Sequence, residues 1–448
     1  MSAYLLATIL LAAAPPCGPL DLDTALGLVA TQSDEVAIRQ AELSSAHADE
    51  ALARALRIAP IASATVVTGP SPEARGDVTN GSPDSNRSLA GLRPFGRIDV
   101  QVVQPLYTWG RLDAASQAAR AGIDARESLV QDTTSQVQLR VTQLYWGVSL
   151  ARRLLAVAED VKGALAQADE HIREALAAGD EDISPADRYR VDLFRGVVTG
   201  RTAEAQKGLE LAQVGLAATL GLPAPKLRLK EAPLDPPPAE LPDREAVLAA
   251  SQRQRPDLAA LGDAILARDA EVKAEKAAAK PQFFLAAQFT FAYAPNRDAQ
   301  FNPWVHDPFR DLSLGAVLGF RQDLALPLLS ARAQKAMAER ATLERQQTGL
   351  RRLVEVQVDS ALAELKAAQA RHAAAQASLG SGKALFRSTG LDFAAGLVDA
   401  KTIIESYTLY VESQVAAAQA AYDLVVARAR LQQVSGAVPR KGVACELP

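Results

Sequence analysis

Histidine, cysteine and methionine are nearly missing from this sequence, with 4, 2 and 2 copies in 448 residues. His47, His171, His306 and His372 are scattered, with no HExxH pair and no cysteine at ligand spacing, so the sequence offers no zinc site. Cys17 and Cys445 stand at opposite ends and make no disulfide framework. No run of Lys and Arg interleaves with aromatics and the net charge is −4, which excludes a nucleic-acid surface. There is no GxSxG and no GxGxxG; LGSGKAL resembles the end of a phosphate loop but has Ala377 and Ala384 where Gly and Ser or Thr belong. No catalytic constellation remains, so the chain reads as a non-enzyme without a cofactor. The apolar run at residues 4–14 is too short for a spanning helix and has the length of a secretory signal core, although no basic residue precedes it. Residues 1–18 therefore read as a signal peptide. Pro15 and Pro16 occupy the places where a lipoprotein signal needs small residues, which argues against lipidation of Cys17.

What the sequence does have is alanine, leucine and valine. Hydrophobic residues make up 48% of the chain and aromatics only 5%, a composition that favours helix. A proline-rich linker at residues 222–243 divides the chain. The two sides resemble each other at an offset of 222: Leu26 with Leu248, Glu35 with Asp257, Val36 with Leu258, Pro105 with Pro327, Leu106 with Leu328. Pro60 and Pro281 match at 221, and Gly179 and Gly396 at 217. The expected organisation is a first repeat at 19–221, the linker, a second repeat at 244–436 and a tail at 437–448.

Each repeat is predicted to run helix, strand, polar loop, strand, long helix, turn, helix. The helices are expected over residues 23–56, 111–177 and 184–220, then 244–279, 331–389 and 398–434. The strands are expected over 60–68 and 98–106, then 282–293 and 311–320. Val137, Val141, Leu144, Val148, Ala151, Leu155 and Ala158 form a heptad seam, continued by Val161, Leu165, Ala168, Ile172 and Ala175 after an extra step of three. The helix over 111–177 would measure about 100 Å at ~1.5 Å per residue, longer than a compact domain needs.

The strands alternate. Phe283, Leu285, Ala287, Phe289, Phe291 and Tyr293 share one face of QFFLAAQFTFAY, with Gln282, Phe284, Ala286, Gln288, Thr290 and Ala292 on the other. Between Phe283 and Phe320 lie nine of the chain's 22 aromatics, including Trp304 and Phe309. Aromatics at strand ends around an apolar band are what the girdles of a membrane barrel require.

At this point the chain resembles the TolC-like outer-membrane efflux proteins. QPLYTWGRL is similar to that family's strand-to-helix junction, and RPDLAAL at residues 255–261 to the opening of its second repeat. LPLLSARAQ at 326–334 departs from the pattern, since it lacks the Trp-Gly of the first junction. The resemblance implies an α+β membrane protein, mostly α with long coiled-coil helices, whose four strands per chain contribute to a trimeric 12-stranded outer-membrane barrel. It also implies a homotrimer in outer-membrane lipid of a Gram-negative bacterium, reaching into the periplasm. The partners would be a periplasmic adaptor and an inner-membrane pump, in efflux or type I secretion. Tyr107, Trp109, Phe283, Tyr293, Trp304 and Phe320 would then lie at the membrane interfaces, with Gly110 permitting the bend into the helix.

The pore constriction is expected where the long helices turn. Asp180, Glu181 and Asp182 in the first turn and Asp399 in the second are the candidates; three copies of the acidic trio would ring the axis and favour cations. The same acids before Ser184 and Pro185 also suit a helix N-terminus. Gly179, Ser184, Gly396, Leu397 and Val398 are the candidate adaptor contacts, with Arg188 and Arg190 as basic partners for the acids. The rival reading is a periplasmic or cytoplasmic coiled-coil scaffold, which accounts for the heptads but not for aromatic strands.

Overall fold

The computed structural model describes residues 19–76, 86–178, 185–223, 228–231, 233–236, 240–299, 307–395 and 397–437. The order is α1 (Leu22–Gln32), α2 (Asp34–Ile58), β1 (Ile61–Arg75), β2 (Asn86–Tyr107), α3 (Arg111–Ala178) and α4 (Pro185–Thr219), then α5 (Arg244–Gln254), α6 (Pro256–Ala278), β3 (Gln282–Tyr293), β4 (Asp311–Arg321), α7 (Leu326–Ala394) and α8 (Ala400–Val434). The predicted order recurs in both halves, with two corrections. The opening helix of each half is broken, because Ser33 and Arg255 are extended at ψ 125 and 124. Pro256 explains the second break, since a proline bars the preceding residue from helix; the first has no such signal. The second correction is the length of the first-half strands: β1 runs 15 residues to Arg75 where the alternation predicts residues 60–68, and β2 spans 22 residues where it predicts residues 98–106.

The repeat is visible at the level of single hydrogen bonds. Asp21 and Asp243, 222 residues apart, cap α1 and α5 by accepting from the N–H of Thr24 at 2.8 Å and of Ala246 at 3.0 Å. Beyond the first strand of each half the spacing shortens. Pro105 lies in β2 and Pro327 in α7, so their match at 222 does not survive. The buried seam of α3 at Val137, Val141, Val148 and Ala151 instead recurs in α7 at Val354, Val358, Leu365 and Ala368, an offset of 217. Further along α3 the buried positions are Val157, Val161, Leu165 and Ile172. Leu155 and Ala158 are half-buried, so the register shift falls earlier than the heptads predict.

The described residues divide into two compact units. One takes the chain up to Leu43, Arg126–Ala260 and the chain from Gln347 onward; the other takes Ser44–Ala125 and Leu261–Gln346. Among the described residues the first unit holds three hydrophobic clusters, of which the one around Val157, Val161, Val191 and Val198 takes in Ile404, Tyr407 and Val411 from the second half. The other two are each built from one half. One packs Leu20, Leu28, Val29 and Val36 against Val137, Val141, Leu216 and Leu220, and the other packs Val247 and Leu258 against Val354, Val358, Leu424 and Leu431. Each of these two cores is closed by a left-handed glycine. At Gly221 (φ +65) a Cβ would lie 2.5 Å from the carbonyl oxygen of Gln32, and at Gly436 (φ +78) one would lie 2.8 Å from the backbone of Gln254 and Arg255. Gln32 and Gln254 are the last residues of α1 and α5. LGSGKAL lies inside α7, where Gly382 lets α8 approach: a Cβ there would meet the Ser413 hydroxyl at 2.9 Å.

The second unit contains one four-stranded antiparallel sheet, ordered β1-β2-β3-β4. Among the described residues neither edge, β1 nor β4, pairs with a further strand, and only Ala74 near the end of β1 makes a bridge, to Arg297.

Candidate functional site

The sheet has two chemically distinct faces, fixed by register. Ala64, Val100, Phe289 and Leu314 are directly opposed across the four strands, as are Val66, Ile98, Phe291 and Leu312. With Leu285, Leu318 and Tyr293 they make one continuous apolar and aromatic face, much of it open to solvent in the single chain, Leu314 to 82%. The alternate positions include Thr65, Asp99, Thr290 and Ser313 in one row and Ser63, Gln101, Gln288 and Gly315 in the next, followed toward the helices by the apolar row Ile61, Val103, Ala286 and Val317. That face carries its own polar lattice. Arg97 bonds both carboxylate oxygens of Asp99 at 2.7 and 2.8 Å, and the Thr290 hydroxyl donates to Asp99 at 2.8 Å. A soluble protein buries its apolar sheet face and wets the polar one; this sheet leaves the apolar face uncovered. Among the described residues no helix is long and apolar enough to cross a membrane.

Four of the six predicted girdle aromatics come together at the end of the sheet where the strands join helices. Tyr107 pairs with Phe283, and Phe283 with Phe320, in one row across β2, β3 and β4. Trp109 packs edge-on against Tyr107 at 5.0 Å between centroids. Tyr293 stands ten residues further along β3, and Trp304 lies outside the described residues.

The junction from β2 to α3 answers why the strand passes so abruptly into helix. Trp109 (φ +54) and Gly110 (φ +79) are both left-handed, and the N–H of Ala114 then donates to the Gly110 carbonyl at 2.8 Å to start the helix. Sequence reasoning assigns the bend to Gly110 alone. A left-handed tryptophan costs roughly 1–3 kcal/mol, and three contacts hold it: its indole N–H donates to the Pro281 carbonyl at 2.7 Å, the Lys280 ammonium sits 5.0 Å over its ring, and Tyr107 covers one edge. The β4–α7 junction achieves its turn without a left-handed residue. There the Asp323 carboxylate accepts from the N–H of Ala325 at 2.9 Å, which fits the missing Trp-Gly of that sequence.

At the other end of the long helices, Gly179, Asp180, Glu181, Asp182, Ser184 and Gly396 lie outside the described residues. Of the remaining candidates, Leu397 is exposed and Val398 half-buried. Asp399 is the N-cap of α8, accepting from the N–H of Thr402 at 2.9 Å and from its hydroxyl at 2.5 Å. These bonds hold its carboxyl below the usual aspartate range. Arg190 is bonded to the buried Asp187, three residues away, rather than standing free for the acidic trio. The sequence reading overlooked an aromatic cluster nearby, in which Phe386 contacts Tyr407 at 5.0 Å and stacks on Tyr410 at 5.8 Å. It borders an apolar cavity of about 230 Å³ lined also by Ile172, Val191 and Phe194. Burial raises the Tyr407 phenol above its usual range.

No protein-family model and no curated protein matches the sequence. Solved structures do. The Campylobacter jejuni CmeC outer-membrane channel aligns with a TM-score of 0.76 and 12% identity, over 94% of this chain and 87% of its own. The outer-membrane channel OprN gives 0.75 and 16%, over 94% and 90%. The open-state Neisseria gonorrhoeae MtrE outer-membrane channel gives 0.73 and 17%, over 94% and 91%. The element order, the four-stranded sheet and the paired long helices are thus those of a known architecture, and the chain has the fold of the TolC-like outer-membrane efflux channels.

Proposed function

We propose that this chain is the outer-membrane channel of a tripartite efflux or type I secretion system, working as a homotrimer in the outer membrane of a Gram-negative bacterium. A periplasmic adaptor and an inner-membrane pump deliver the substrate, which leaves through a helical tunnel and a 12-stranded barrel. The observation that carries this reading is the two-faced sheet with two open edges. An uncovered apolar face is stable against lipid, and a polar face suits a water-filled lumen. Unpaired backbone groups at β1 and β4 are intolerable in hydrocarbon, so the edges must close on other copies. Four strands are too few for a usable lumen, whereas twelve suffice. Tyr107, Trp109, Phe283 and Phe320 then form the girdle on the helix side, Tyr293 belongs to the opposite one, and Lys280 places its charge in the headgroup layer.

The turns joining α3 to α4 and α7 to α8 form the periplasmic end, with Leu397 and Val398 meeting the adaptor and Asp180, Glu181, Asp182 and Asp399 narrowing the pore. An exposed leucine at a free tip is sensible against a partner. Mass measurement in detergent tests the assembly and is expected to report three chains, with single-channel current in planar bilayers. A stable, non-conducting monomer that remains soluble without detergent would overturn the proposal and favour a scaffold.

A further inference from the structure

We infer that residues 294–298, directly after β3, fold into the lumen and set the size limit at the channel's external mouth; this rests on the channel reading above. β3 does not turn directly into β4. Residues 294–298 cross β2 and reach β1, where the N–H of Ala74 donates to the Asn296 carbonyl at 3.2 Å and the N–H of Asp298 donates to the Ala74 carbonyl at 3.0 Å, giving a short parallel bridge. The crossing is on the polar face. Ser71 and Phe95 belong to that face by register, and both touch the segment or its continuation. Thr290 and Ala292, on the same face, are 2% and 3% exposed, while Phe289, Phe291 and Tyr293 opposite them stay open.

The segment is built to stay in place. The Asn296 side chain is itself 2% exposed and uses its whole amide: Nδ2 donates to the carbonyls of Ser71 at 2.9 Å and Gly91 at 2.7 Å, and Oδ1 accepts from the Ser71 hydroxyl at 2.9 Å. Arg297 Nε donates to the buried Asp307 at 2.8 Å and Nη1 donates to the Pro72 carbonyl at 2.9 Å, and its guanidinium lies 4.9 Å from the Phe309 ring. Phe309 in turn packs edge-on against Phe95 at 4.9 Å. A mobile surface loop leaves such groups to water; here they are satisfied by the sheet. This end of the sheet is the one remote from the strand–helix junctions, hence external in the proposed orientation. Three copies around the axis would narrow the lumen there with a fixed rim, so solute size is limited by the barrel itself and not only by the periplasmic turns.

Polymer exclusion tests this. Poly(ethylene glycol) of increasing size is added to the external side of the wild-type trimer and of the Asn296→Ala/Asp307→Asn variant in planar bilayers. The variant should conduct more and admit a larger polymer. Unchanged conductance and an unchanged cutoff would overturn the inference while leaving the channel intact. A wild-type trimer that carries no current overturns the channel reading and this inference with it. Should the variant fail to assemble, Ser71→Cys/Asn296→Cys decides: a rim that stays in place conducts equally when oxidised and when reduced, whereas a segment that swings away to open the pore would be blocked by oxidation and released by reductant.

Discussion

Placing an arginine on either side of β3 separates a membrane barrel from any soluble sheet. Phe283 and Tyr293, the aromatics at its two ends, are ten residues apart. At ~3.4 Å per residue they are separated by about 34 Å along the strand. With the ~40° tilt of a barrel strand this becomes roughly 26 Å along the membrane normal, against an apolar band of about 25 Å. Phe289 lies six residues from Phe283, thus ~16 Å up that span and within about 3 Å of its midplane by the same rise and tilt. An arginine facing lipid at that depth costs roughly 2–4 kcal/mol. At ~1.4 kcal/mol per tenfold, Phe289→Arg should shift the folded-to-unfolded ratio by about 30-fold to 1,000-fold. Gln288 is one residue away but on the polar face, beside Gln101 and Gly315. Gln288→Arg should cost no more than ~0.5 kcal/mol, as for an ordinary exposed site. Urea titration of the protein in phospholipid vesicles, read as loss of trimer, measures both. Equal losses, or a greater loss at Gln288, would refute the assignment of faces.

Four further outcomes are expected. Gly221→Ala forces a left-handed alanine at ~1–2 kcal/mol and drives its Cβ against the Gln32 carbonyl, so a total of roughly 2–4 kcal/mol should appear as a lowered denaturation midpoint. Asp132 has its carboxyl raised above the usual range by burial first and then by Asp257. The folded state therefore holds this proton more tightly than the unfolded one, and stability is lost as pH rises from the ordinary aspartate range through the raised value. Asp132→Asn should raise the urea midpoint at neutral pH, and the advantage should vanish at about pH 4 or below, where the unfolded carboxyl also protonates. Asp399→Asn should preserve the start of α8 whereas Asp399→Ala should expose the Thr402 amide to faster hydrogen exchange, because asparagine caps and alanine does not. Replacing Asp180, Glu181 and Asp182 by Asn, Gln and Asn should lower cation selectivity and divalent block in planar bilayers; wild-type selectivity and block would make the trio helix caps only.

The strongest patterns in the sequence became the clearest features of the structure. Alternation placed Phe289 and Thr290 on opposite faces, and the four-and-three spacing found Val137, Val141 and Val148, because each signal repeats over many residues. What stayed hidden is local or long-range. Ser33 breaks the first helix with no proline or glycine to announce it. The early part of β2 has Gly91, Pro94 and Gly96, which weaken any strand signal. Arg297 and Asp307 are ten apart with no pattern between them, and the bond of Asn296 to Ser71 spans 225 residues. Trp109 was legible as an interface aromatic but not as a left-handed residue, since that conformation is imposed by Pro281 and Lys280 from another strand's entrance.

The two glycine-closed cores bear on how the chain is completed in time. Gln32 and Gly221 are 189 residues apart, and Gln254 and Gly436 are 182 apart, by subtraction of their numbers. Loop-closure entropy grows only with the logarithm of length, so ends this distant meet at little more entropic cost than ends half as far apart. All the hydrophobic side chains of the first core lie between Leu20 and Leu229, and all those of the second between Val247 and Val434. A chain delivered N-terminus first can therefore close one core while the residues of the other are still arriving. The pairing of β2 with β3 joins strands from the two halves, so the first half alone cannot complete the sheet with its uncovered apolar face.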